Sequence, residues 1–91
     1  MSNTLQGIRV VLADDHAVVR LGFRLLLEGA GATVVGESGN GEGVVKLFED
    51  TRPDIVVMDV SMPGIGGLAA LERLLNREPS ARVLMLSAHL D

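Results

Sequence analysis

Cysteine, tryptophan and tyrosine are absent from this 91-residue sequence, and phenylalanine occurs only twice, as Phe23 and Phe48. Without cysteine there is no disulfide framework, no cysteine-ligated zinc and no thiol nucleophile. With aromatics at 2%, stacking platforms for single-stranded nucleic acid or sugars are excluded. Lysine occurs once, as Lys46, and Lys+Arg number 8 against 12 Asp+Glu, for a net charge of −4. That balance is not a basic nucleic-acid footprint, so any contact with DNA belongs to another part of the protein. No apolar run approaches the ~18 residues of a membrane span. Residues 1–7 (MSNTLQG) are polar and lack a signal-peptide core. The expectation is a soluble cytoplasmic chain with no membrane partner.

Hydrophobic residues are plentiful, at 47% with a mean hydropathy of +0.35. Such a chain buries enough apolar surface to fold, and its length allows one modest domain. Four short apolar, β-branched runs stand out: Ile8–Ala13, Thr33–Gly36, Ile55–Met58 and Val83–Leu86. Each is too short for a helix, and continuous apolarity fits strands buried on both faces of a parallel sheet. Three helical patterns alternate with them. The first carries an apolar stripe of Val18, Val19, Leu21, Leu25 and Leu26 and ends at Gly29 or Gly31. The second carries Val44, Val45, Leu47 and Phe48 and stops at Arg52-Pro53. The third carries Leu68, Leu71, Leu74 and Leu75 and stops near Glu78-Pro79. Strand then helix, repeated, predicts a parallel α/β layer.

Ligands of open α/β sheets bind outside the carboxyl ends of the strands. Asp14 and Asp15 follow the first run, Asp59 the third and Ser87 the fourth. Neighbouring strands would bring three carboxylates and a hydroxyl to one edge. Such carboxylates repel strongly, so a cation or a proton must offset them. Oxygen-only donors without histidine or cysteine suit a hard ion, and a compact pocket with room for water favours Mg²⁺ over Ca²⁺. The plainer reading of any single one of these acids is a helix cap, with Asp15 capping the first helix. His16 reads as a first-turn residue rather than a ligand, and Ser87 alone as a turn residue.

The stretch Val10-Val11-Leu12-Ala13-Asp14-Asp15-His16 resembles the first strand and acidic pair of response-regulator receiver domains. Asp59-Val60-Ser61-Met62-Pro63-Gly64, followed by Gly67-Leu68, is similar to their phospho-acceptor loop, and Val83–Leu86 with Ser87-Ala88 to their fourth strand and its hydroxyl. Leu12–His16 with Val19-Arg20 and Leu26-Leu27 resembles the NarL/FixJ subfamily. The resemblance implies a flavodoxin-like (CheY-like) parallel sheet of strand order 2-1-3-4-5 with helices on both faces. It implies that Asp59 accepts a phosphoryl group from a sensor histidine kinase. It also implies Mg²⁺ held by Asp15, Asp59 and the main-chain carbonyl of Ser61, with Asp14 acting largely through water. Ser87 would hydrogen-bond a phosphoryl oxygen and swing inward on activation. Gly64, Gly66 and Gly67 fit a backbone that bends close to that group. The protein would be a phosphoryl acceptor rather than an enzyme, controlling a DNA-binding output.

The family continues with a further helix, strand and helix, and its fifth strand ends in a lysine that pairs with the phosphoryl group. Here the pattern stops after the fourth strand, and Lys46 lies inside the second helical pattern. Residues 1–91 are therefore expected to be the N-terminal portion of a receiver, without its last helix-strand-helix and without a LuxR-type helix-turn-helix. An uncovered fourth strand predicts self-association or element swapping. A second reading is a pseudo-receiver, an interaction or dimerisation module with a vestigial pocket. A third, an aspartyl phosphatase, wants an acid where His16 stands.

Overall fold

The computed structural model describes residues 4–87. Four strands and three helices alternate along the chain: β1 (Arg9–Ala13), α1 (Ala17–Gly29), β2 (Thr33–Ser38), α2 (Gly41–Thr51), β3 (Ile55–Asp59), α3 (Gly66–Arg77) and β4 (Val83–Leu86). All pairings are parallel, in the order β2-β1-β3-β4. This is the flavodoxin-like arrangement anticipated from the sequence, with β1 and β3 central. Residues 88–91, with the Ala88 of the motif after the fourth strand, lie outside the described residues.

Alternation along the central strands builds two cores, one on each face of the sheet. Val11, Ala13, Val56 and Met58 face α2 and α3, where they meet Val44, Val45, Phe48, Ala70 and Leu74. Val10, Leu12 and Val57 face the other way, toward Phe23 and Leu27 of α1. The first core holds ten buried residues. The second is thin, and no residue of α1 is buried.

Here the expected α1 stripe needs correction. Val18, Leu25 and Leu26 are 83%, 63% and 73% exposed. The sheet contact is made instead by Phe23 and Leu27, which were not in that stripe. Apart from the charged stripe of Arg20, Arg24 and Glu28, α1 is apolar over a broad arc, so its pattern alone did not specify which part of that arc lies inward. In α3, Leu74 and Ala70 form the buried face, Leu71 is half-buried, and Leu68 and Leu75 are exposed.

The helix ends follow local chemistry. Asn40 caps α2, its side chain accepting from the Gly43 N–H at 2.7 Å. Arg52 adopts a left-handed conformation just before Pro53 and ends that helix. Glu78 caps α3 ahead of Pro79. β2 runs two residues past Gly36, because Glu37 and Ser38 pair with Leu12 and Ala13. Glu37 is polar and reads as a turn in isolation. In the fold, its carboxylate receives Arg20 at 3.1 Å and Arg24 at 2.6 Å, tying α1 to β2.

Candidate acidic site at the carboxyl ends of the strands

β1 and β3 are adjacent and parallel, so the residues that follow them emerge side by side. Asp59 is the last residue of β3 and is only 3% exposed. Asp14 directly follows β1 and is 7% exposed. Asp15 stands one residue further out, at the surface. Pairing of β3 with β4 extends beyond the strands, since the Val60 N–H donates to the Leu86 carbonyl at 2.9 Å. This brings Ser87 to the same edge. A cavity of about 180 Å³ is lined by Asp14, Val19, Phe23, Asp59, Leu86 and Ser87.

Ligand atoms of Asp14, Asp15, His16 and Asp59 all lie within 4.8 Å of one another. At that separation and an effective dielectric near 20, two carboxylates repel by about 3 kcal/mol. The local backbone is bent to hold them there. The His16 N–H donates to Asp14 Oδ1 at 2.7 Å, and the Asp14 N–H donates to the Ser38 carbonyl at 3.0 Å. Arg20 Nη1 donates to the Asp14 carbonyl at 2.6 Å, which ties the turn after β1 to α1. The Ser61 N–H donates to Asp59 Oδ1 at 3.2 Å. Asp59 lines the cavity beside Asp14 and Ser87.

Two expectations change at this site. Asp15 does not cap α1. His16 occupies the N-cap position, with no side-chain cap bond. Its ring turns back, placing Nδ1 3.2 Å from Asp14 Oδ1 and 3.1 Å from Asp15 Oδ1. His16, expected from the sequence as a first-turn residue, thus joins the cluster; its position directly after the acidic pair is the signal for this. The donor set fits a hard divalent cation, with three carboxylates from two adjacent strand ends. Lys46 is ion-paired with Asp50 on the exposed side of α2 at 3.3 Å, as its sequence position implied. A larger cavity of about 350 Å³ lies at the opposite, amino ends of β3 and β4, between Arg52–Asp54 and Ser80–Arg82. It gathers no comparable cluster.

The profile of the response regulator receiver domain matches residues 10–91. The chain belongs to the response regulator receiver domain family. This receiver domain is 44% identical over 85 residues to the response regulator UvrY of Escherichia coli, covering 92% of the chain and 39% of UvrY. It is 44% identical over 81 residues to the response regulator GacA of Pseudomonas aeruginosa, covering 88% of the chain and 38% of GacA. The chain thus spans about two fifths of the length of these curated relatives. Its fold matches the signal receiver domain of NarL from Mycobacterium tuberculosis with a TM-score of 0.87 and 33% identity, over 94% of this chain and 70% of that one. Among the described residues of the receiver domain, no helix is long and apolar enough to cross a membrane.

Proposed function

We propose that this receiver domain accepts a phosphoryl group on Asp59 from a phosphohistidine of a sensor histidine kinase. The free oxygen of the Asp59 carboxylate attacks phosphorus. A P–O bond forms, the P–N bond to the donor histidine breaks, and the electron pair returns to that nitrogen. The product is an acyl phosphate on Asp59. The observation that carries this reading is the buried Asp59 carboxylate, which accepts from the Ser61 N–H at one oxygen and lines a cavity shared with Asp14 and Ser87.

Asp14, Asp15, Asp59 and the main-chain carbonyl of Ser61 would hold Mg²⁺, with Asp14 acting largely through water. When bound, the ion offsets the carboxylate charge and that of the transferring oxygens. Ser87, at the rim of the same cavity, is assigned the hydrogen bond to a phosphoryl oxygen. The Ser61 N–H orients the nucleophile. The domain acts in the cytoplasm as a stoichiometric acceptor. Its output is a DNA-binding domain of LuxR type lying outside these residues, controlled by a population shift on phosphorylation.

The alternative is a pseudo-receiver that binds partners without phosphorylation. Incubation with radiolabelled acetyl phosphate and Mg²⁺ separates the two. Label on the parent and none on Asp59→Asn is the expected result. Equal labelling of both would remove Asp59 from the mechanism, and an unlabelled parent favours the interaction module.

A further inference from the structure

We propose that Glu42 is a positioning residue for this site, a latch from α2 that holds the loop following Asp59 in its working shape. The inference rests on the receiver reading, because that loop carries Ser61. The loop leaves β3 at Asp59 and re-enters regular structure at Gly66. It is anchored at its start by the Ser61 N–H on Asp59 Oδ1 and at its end by the Gly67 N–H on the Val60 carbonyl, at 3.0 Å. Between those points Met62 is buried, while Ser61, Pro63 and Gly64 are exposed. One side chain from outside grips the exposed part. Glu42 Oε1 accepts the Ile65 N–H at 2.9 Å, across 23 residues of sequence.

Three features make this contact specific rather than a chance approach. Gly64 has a φ of +79°, and a Cβ there would run into both oxygens of the Glu42 carboxylate. The positive φ favours glycine, and any larger residue would push the Glu42 carboxylate off the loop. Gly41, next to Glu42, lies so close to Ile65 and the Gly66 carbonyl that a Cβ there would also collide. Finally, the arm is rigid: α2 is capped by Asn40 and seated in the core by Val44, Val45 and Phe48. A carboxylate in the first turn also suits the positive end of the helix dipole, which keeps it charged and a strong acceptor. The latch thus fixes the backbone four residues beyond Ser61, whose carbonyl is assigned to the metal.

Four variants of the full chain test this: Glu42→Ala, Glu42→Asp, Glu42→Gln and, as a control on the same helix, Glu49→Ala, which removes the ion pair with Arg77. Two quantities are read: hydrogen exchange of the Ile65 amide, and Mg²⁺ affinity from amide shifts at residues 59–61. Glu42→Asp keeps the charge and suits a helix start, but it is one methylene too short to reach Ile65. Glu42→Gln loses the charge and keeps an acceptor at the right distance. The expected result is faster Ile65 exchange and about 3- to 10-fold weaker Mg²⁺ binding in the Ala and Asp variants, with Gln between those variants and the parent and Glu49→Ala unchanged. Unchanged Ile65 exchange in Glu42→Ala overturns the latch, as does unchanged Mg²⁺ affinity or an equal loss in Glu49→Ala. A parent with no Mg²⁺ response refutes the receiver reading and, with it, the role of the latch at the site. The exchange measurement still reports the contact itself, so the two failures are told apart.

Discussion

Asp14, Asp15 and Asp59 converge within 4.8 Å, at a cost to the folded state that a cation removes. Two consequences follow for single residues. Without Mg²⁺, Asp59→Asn relieves two repulsive pairs and is expected to stabilise the fold by about 1–3 kcal/mol, read as a higher urea midpoint in chelator. Adding Mg²⁺ is expected to raise the midpoint of the parent and leave that of Asp59→Asn nearly fixed. A variant less stable than the parent in chelator would show that repulsion is not the governing interaction. Glu42 supplies a pH prediction. The Ile65 N–H, its own N–H and the nearby Arg73 hold its carboxyl below the ordinary 4.5. Ser80 does the same for Glu78 through its hydroxyl and N–H. A lowered folded value means the contribution is complete above pH 4.5 and disappears as pH falls through the folded value. Ile65 exchange protection is therefore expected to stay flat from neutral pH to about pH 5 and to weaken below 4.5, after correction for intrinsic exchange rates. Loss of protection between pH 7 and 6 would point to a different group.

Among the elements, α3 and α2 are fastened differently from α1. Leu74 is fully buried between α3 and the sheet, and Leu74→Ala is expected to cost about 2–5 kcal/mol. Leu68, on the exposed side of the same helix, is expected to cost well under about 1 kcal/mol when changed to alanine. Equal losses at the two positions would contradict the assigned face. Removing the α2 cap with Asn40→Ala is expected to cost about 1 kcal/mol, and chemical denaturation measures it directly. α1 is held by the partly buried Phe23 and Leu27 and by a set of ion pairs. Arg20 and Arg24 both reach Glu37, and Arg20 also binds the Asp14 carbonyl. That network couples the helix to the turn that carries the acidic pair.

At the scale of the whole molecule, one side of the sheet is under-covered. Val18, Leu21 and Leu25 recur at helical spacing on the outer side of α1, and Leu84 of β4 is 50% exposed. Among the described residues β4 pairs only with β3, leaving a free edge. An apolar cavity of about 260 Å³ lies between β1, β3, β4 and α1, lined by Ile8, Leu27, Ile55 and Leu84. These 91 residues alone are expected to self-associate, visible in sedimentation as mass rising with concentration. Leu25→Glu and Leu84→Lys together should reduce it. A monomer that keeps its mass from micromolar to millimolar concentration would remove this expectation.

The sequence alone determined the strand runs and the acids at their ends. A buried parallel strand is a continuous apolar segment, and its end is marked by the first charged residue, so Ala13-Asp14 and Met58-Asp59 were legible without coordinates. Asp14, Asp15, Asp59 and Ser87 were placed correctly at one edge because adjacent parallel strands deliver their carboxyl ends together. Tertiary structure decided what depends on distant partners. Glu37 belongs to a strand because β1 lies beside it and α1 supplies Arg20 from 17 residues away. Phe23 and Leu27 face inward because the sheet selects one part of the broad apolar arc that α1 carries beside its Arg20-Arg24-Glu28 stripe. His16 joins the acids because the turn after β1 folds its ring back. Glu42 meets the loop after Asp59 because α2 and α3 pack on the same face of the sheet. Local pattern encodes period and burial; which side chains meet across the fold follows from the order in which the strands lie.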